Sequence, residues 1–163
     1  MTTATKPAFV LAPNQGKRLN ILGHTATVKV SSQDAAGHYY TFDVVSPPGL
    51  GIPPHVHQHE DEVIAVLEGE FEIWLDGKTH PASPGSVFHF PRLIPHGFTN
   101  VGSTTGRTLW TVIPGGNFEA FFDSNTCPVV IDRVFQSPPS RVACMNSSET
   151  RTDKFSFWYI TEP

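Results

Sequence analysis

Apolar and polar positions alternate at strand period through most of the first two thirds of the chain. In Glu70-Phe71-Glu72-Ile73-Trp74-Leu75, one face carries Phe71, Ile73 and Leu75 and the other carries Glu70, Glu72 and Trp74. Residues 17–22, 24–30, 38–46, 87–90 and 106–113 read as further strands, with Tyr40, Phe42 and Val44 as the inward set of the third. Val63 to Leu67 is a short apolar run of strand character. Pro47-Pro48-Gly49 breaks the chain, and Asp76-Gly77 is a strong two-residue hairpin signal. One segment has helical spacing: between Gly115 and Phe122, Phe118, Phe121 and Phe122 fall at i, i+3 and i+4 and are expected to plug one end of the fold. Beyond Cys127 the pattern loosens. Phe155 to Ile160 is too aromatic to be left in water and is expected to pack on the barrel or on a partner subunit.

Fifteen prolines, thirteen glycines and a charged fraction of 16% fit many short strands joined by tight turns. The expectation is an all-β, single-domain small β-barrel or jelly roll with a short helix after it. Its 163 residues suit one domain, and the lack of an internal repeat argues for one barrel. Residues 1–36 read as an N-terminal arm with the first strands, 37–114 as the barrel core, and 115–163 as the short helix and tail. No apolar run is long enough for a bilayer, so no membrane partner is expected. The N-terminus lacks the basic start and apolar core of a secretory leader, and Cys127 and Cys144 are too few for a disulfide framework, so a cytoplasmic location is the default. A net charge of -4 without a Lys/Arg cluster argues against a nucleic-acid partner.

The candidate chemistry lies in two stretches, 49–69 and 85–100. His55 and His57 are two apart, so on a strand both leave one face and can converge on an ion. Glu62 is five residues past His57, an offset that points it away on a continuous strand. A turn over Gln58-His59-Glu60-Asp61 would return it, giving strand, turn, strand with three ligands at one end of a hairpin. His96 offers a fourth. Three neutral imidazoles and one carboxylate suit one divalent transition metal better than calcium or magnesium, which prefer all-oxygen shells. Iron, manganese, cobalt, nickel and copper all fit, while a closed four-coordinate zinc would leave no position for substrate. His59 reads as a rim residue, and His24, His38, His80 and His89 lack clustered partners.

These residues resemble the two cupin motifs. Gly49, His55, His57, Glu62 and Gly69 match every fixed position of G-x5-H-x-H-x4-E-x6-G. Gly85, Pro91, His96 and Asn100 match G-x5-P-x-G-x2-H-x3-N, with Leu93 where the family usually has glycine. The resemblance implies a jelly-roll barrel, His55, His57, Glu62 and His96 as metal ligands, and commonly a homodimer. Its three-His, one-Glu members include quercetinase-like dioxygenases, which open a flavonol ring with O2. The expectation that follows is a metal-dependent dioxygenase acting on a small, oxygenated, flavonol-like or enolisable aromatic substrate. Glu62 would then be ligand and catalytic base together. The apolar mouth would draw on Phe42, Ile64, Phe71, Ile73, Phe88, Phe98, Trp110 and Val112. The alternatives are a non-oxidative isomerase, cyclase or lyase using the same metal, and a binding protein without catalysis.

Overall fold

The computed structural model of the chain describes residues 7–116 and 143–145. Among these, every regular element is a strand: β1 (Arg18–Ile21), β2 (His24–Val30), β3 (Tyr40–Ser46), β4 (Gly51–His57), β5 (Asp61–Glu68), β6 (Phe71–Leu75), β7 (Lys78–Ala82), β8 (Val87–Phe90), β9 (His96–Asn100), β10 (Gly106–Ile113) and β11 (Ala143–Met145). They form a six-stranded sheet ordered β1-β2-β3-β10-β5-β8 and a five-stranded sheet ordered β11-β4-β9-β6-β7. All pairings are antiparallel except β11 with β4, which is parallel.

The period-two pattern locates these strands because one face of each sheet is buried and the other is not. Tyr40, Phe42, Val44, Phe71 and Ile73 all point into one core cluster, with Leu75 packed against it. The eight apolar residues expected at the mouth fall in the same place, seven in the cluster and Phe88 packed against it. The Asp76-Gly77 signal makes the β6–β7 hairpin, with Leu75 paired to Lys78 and both turn residues at positive φ (45° and 82°). That is the backbone a two-residue turn of this hand requires. The proposed helix from Gly115 to Phe122 falls almost wholly outside the described residues, as does the aromatic segment from Phe155 to Ile160.

One expectation is corrected. The chain does reverse between His57 and Glu62, but β4 and β5 do not pair as a hairpin: β4 lies in the five-stranded sheet and β5 in the six-stranded one. The partner of β4 is β9, with His55 opposite His96, and the partners of β5 are β10 and β8. The turn therefore carries the chain across the sandwich. Local spacing cannot distinguish the two cases, because either reversal returns Glu62 toward the histidines.

Gly97 lets β4 and β9 come together. A Cβ on it would lie 2.9 Å from both the Ile52 carbonyl oxygen and the Pro54 nitrogen, closer than side-chain carbons approach. The close approach coincides with a bulge between Ile52 and His55, where Pro53 and Pro54 cannot donate to the ladder. The bulge sets where His55 and His57 point.

Candidate metal centre

The four expected ligands meet between the sheets. His55 and His57 come from β4, His96 from β9 and Glu62 from β5, and their ligating atoms all lie within 4.8 Å of one another. All four are buried. His55 Nε2 is 3.1 Å from His57 Nε2, His96 Nε2 is 3.1 Å from Glu62 Oε2, and His57 Nε2 is 4.0 Å from the same oxygen.

Backbone acceptors fix the tautomers of two of the imidazoles. His55 donates Nδ1–H to the Pro53 carbonyl at 3.0 Å, and His96 donates Nδ1–H to the Ile94 carbonyl at 2.9 Å. Each neutral ring then presents a bare Nε2 lone pair toward the centre. Lone pairs facing a nitrogen and a carboxylate oxygen at about hydrogen-bond distance repel unless a cation or a proton stands between them. Glu62 Oε1 sharpens the point, because it is buried with no hydrogen-bond partner, a costly state for a carboxylate oxygen. A divalent ion would relieve both conflicts, so the donor set fits a transition metal on its own chemistry.

Burial keeps His55 and His57 in ligand form. Burial pushes the His55 imidazole well below its ordinary value of 6.5, the nearby His96 and His57 push it further, and the Pro53 carbonyl opposes them. Burial also lowers His57, with Glu62 acting against it. Away from the centre, burial lowers His24, whose Nδ1 lies 2.9 Å from Ser46 Oγ. The sign for stability follows. Folded values below the unfolded 6.5 mean that unfolding takes up protons, so this stability is present above pH 6.5 and lost as pH falls below it. The metal-free protein should therefore melt lower at about pH 5.5 than at about pH 7.5. A melting temperature flat across that interval would contradict the burial of these rings in neutral form.

Further residues complete the setting. Phe90 stacks on His96 with ring centroids 4.2 Å apart and planes 3° from parallel, and Phe88 stacks on Phe90 in turn. Phe90 was not among the residues expected at the mouth, although its alternation with His89 along β8 pointed it inward. Asn100, the last fixed position of the second motif, is a clamp and not a ligand. Its side chain donates to the Ser46 carbonyl at 2.8 Å and the Thr104 carbonyl at 2.9 Å and accepts from Gly102 N at 3.0 Å. Its backbone accepts from Gly49 N, and its own N–H donates to the Leu50 carbonyl, so the end of the second motif is tied to the start of the first. Arg92 grips Asp61 with two side-chain bonds of 3.0 and 3.1 Å and one backbone bond of 2.9 Å, pinning the segment after β8 to the start of β5. His59 is exposed, in keeping with a rim position, while Glu60 is buried, which the polar look of its turn did not suggest.

Leu93 stands where the second motif usually has glycine, and its backbone shows the cost. It adopts φ +68°, donates its N–H to the His57 carbonyl at 2.8 Å and leaves its side chain 63% exposed. A left-handed L-residue costs about 1–2 kcal/mol, and glycine's extra unfolded freedom costs about 0.5–1 kcal/mol. Leu93→Gly should therefore leave the melting temperature unchanged or slightly raised. A drop of several degrees would show that the leucine side chain has a packing role.

The comparisons agree with this geometry. Residues 42–112 match the Cupin domain family. This barrel has the cupin fold. The cupin barrel is similar to the polyketide cyclase RemF from Streptomyces resistomycificus, with a TM-score of 0.59 and 24% identity over 66% of this chain and 80% of that one. In sequence it is 26% identical over 114 residues to quercetin 2,3-dioxygenase of Bacillus subtilis (strain 168), covering 70% of this chain and 33% of the relative. It is 34% identical over 67 residues to the polyketide synthase CurC of Streptomyces cyaneus, covering 41% of this chain and 44% of that protein. The matched regions thus span about a third to under a half of these curated relatives. Among the described residues, no helix is long and apolar enough to cross a membrane.

Proposed function

We propose that this cupin is a metal-dependent dioxygenase acting on a small oxygenated aromatic of the flavonol or enolisable type. The observation that carries the reading is Glu62 Oε1, a buried carboxylate oxygen without a partner, beside three imidazoles whose nitrogens converge. His55, His57, Glu62 and His96 would hold one divalent ion, which supplies Lewis acidity toward an enolate or phenolate oxygen. The chain's own residues do the rest. The carbonyl-anchored rings of His55 and His96 keep the centre rigid, and the apolar wall that includes Phe90 limits water around it. With one carboxylate oxygen facing the ion, Glu62 can take the substrate's hydroxyl proton on the other, so deprotonation needs no additional base. The similarity to the quercetin dioxygenase of B. subtilis supports an O2-consuming, ring-opening reaction.

A second reading has support of its own, a non-oxidative cyclase using the same ion and the same proton acceptor. It rests on the similarity to CurC and RemF, both named for polyketide chemistry. Oxygen separates the two. With the metal-loaded protein and a flavonol, the dioxygenase reading expects O2 uptake equal to substrate consumed and no turnover under argon. Turnover that persists without O2 would overturn it in favour of the cyclase.

A further inference from the structure

The four ligands are no more than 3% exposed, but the chain beside them reaches the surface at Pro91, Arg92 and Leu93, after β8. Three sets of bonds join this turn to the elements that carry the ligands. Leu93 donates its N–H to the His57 carbonyl at 2.8 Å, which holds the backbone of one ligand directly. Arg92 donates from Nε to Asp61 Oδ1 at 3.0 Å and from Nη2 to Oδ2 at 3.1 Å, and its backbone N–H reaches Oδ1 at 2.9 Å. Asp61 is the residue before Glu62, so a second ligand is held one residue away. Ile94 accepts Nδ1–H from His96 at 2.9 Å, and its own N–H closes the turn on the Pro91 carbonyl at 3.2 Å.

Residues 91–94 thus support three ligands from three strands, β4, β5 and β9. Only His55, anchored on the Pro53 carbonyl, is fastened elsewhere. The β5–β8 ladder ends where Glu62 faces Phe90, and the Asp61–Arg92 fork carries the pairing past that end. Both side chains of the fork are partly in solvent, with Arg92 48% and Asp61 30% exposed.

We infer that Arg92 is a positioning residue of the metal centre: its fork on Asp61 latches the 91–94 turn across the crossing from β4 to β5, holds His57, Glu62 and His96 in ligating geometry, and so sets how long the centre keeps its ion. The inference rests on the metal-centre reading above and adds two residues, Asp61 and Arg92, that neither cupin motif fixes. A bidentate guanidinium–carboxylate pair fixes orientation as well as distance, which suits a latch. Charge argues the other way, since a guanidinium near a cation site repels the cation. Any gain in affinity from Arg92 therefore comes through geometry.

The test uses Co(II) as the probe, with affinity read against a competing chelator and release read after adding excess chelator. Residues that touch a ligand directly typically carry about 10–100-fold in metal affinity. Arg92→Ala should lose about 10-fold, the lower end of that range, chiefly as faster release. Asp61→Ala should lose more, because the Arg92 backbone N–H is stranded too. Arg92→Lys should fall between wild type and Arg92→Ala, since an ammonium keeps the charge without the fork. Raising salt from about 0.05 to about 0.5 M should speed release from wild type more than from Arg92→Ala. The metal-free Arg92→Ala protein should melt close to wild type, because an exposed pair adds little to global stability. Co(II) binding in Arg92→Ala as tight as wild type, or tighter as charge alone requires, would overturn the latch and leave the centre intact. Affinity and melting temperature that fall together in both Arg92 variants would make the pair a general stabiliser and overturn the positioning role. Wild type that takes up no Co(II) would overturn the metal-centre reading and this inference with it.

Discussion

Glu62→Gln should lose turnover by a larger factor than it loses metal. The amide keeps the shape of the side chain and one oxygen that can ligate, so the ion should still be held, more weakly, by His55, His57 and His96. The amide cannot take a proton, and a positioned general base is commonly worth about 10²–10⁴ in rate. With metal supplied in excess to saturate the variant, kcat should remain lower by a factor in that range. His96→Ala is the companion measurement. It removes a ligand together with the ring that stacks on Phe90, and its metal affinity should fall by more than the about 10–100-fold typical of outer-shell changes. Parallel falls in occupancy and turnover for Glu62→Gln would reduce Glu62 to a ligand. Full metal content in His96→Ala would reject the ligand set. Neither variant changes the strand ladders; metal-free Glu62→Gln should melt close to wild type or higher, whereas His96→Ala should melt lower, because it leaves a cavity against Phe90 and takes the donor from the Ile94 carbonyl. A rise is the more informative result for Glu62→Gln, because the native state would no longer bury the unpartnered carboxylate oxygen.

Asn100→Ala should be the most destabilising single change outside the apolar core. Asn100 is fully buried, and its side chain satisfies two carbonyls and one backbone N–H. Removing it strands the buried Ser46 carbonyl and takes a partner from the part-buried bonds at Thr104 and Gly102, a buried unsatisfied group costing about 1–3 kcal/mol. A loss of about 2–3 kcal/mol is expected, a large share of the about 5–15 kcal/mol of a typical domain. Asn100→Asp should be at least as damaging, since it replaces the amide that donates to Ser46 and Thr104 with a group that repels their carbonyl oxygens. Chemical denaturation of the metal-free variants measures both. A cost below about 1 kcal/mol for Asn100→Ala would mean that water takes over the three bonds, and that the residue does not tie the two motifs together.

These predictions draw unequally on the sequence. His55 and His57 could be read from spacing, because residues at period two share a face of any strand, while Glu62 needed an assumed turn and His96 the resemblance of its stretch to the second cupin motif. The inward faces of β3 and β6 and the Asp76-Gly77 turn were equally accessible, since strand alternation and turn chemistry are local properties. The path of the chain between His57 and Glu62 was not. A hairpin and a crossover both reverse direction over the same polar residues, and only the pairing of β4 with β9 and of β5 with β10 distinguishes them. Burial of Glu60 was hidden for the same reason: a polar residue in a turn looks solvated until the two sheets close over it. Asn100 appeared as a motif position, but its three partners lie on segments whose proximity depends on the closed barrel. Leu93 is the intermediate case. Its departure from glycine flagged a turn, and the structure supplied its left-handed backbone and its bond to His57.

By itself, then, the sequence determined which residue types could gather around an ion and which face each strand would bury, because both follow from the two-residue repeat of an extended chain. Only the tertiary structure decided that the ligands come from opposite sheets, that two imidazoles are locked by carbonyls and that a carboxylate oxygen is buried between them without a partner. The first and third depend on contacts between segments tens of residues apart, whose distances the order of residues along the chain does not specify, and the second on the backbone path two residues before each ring.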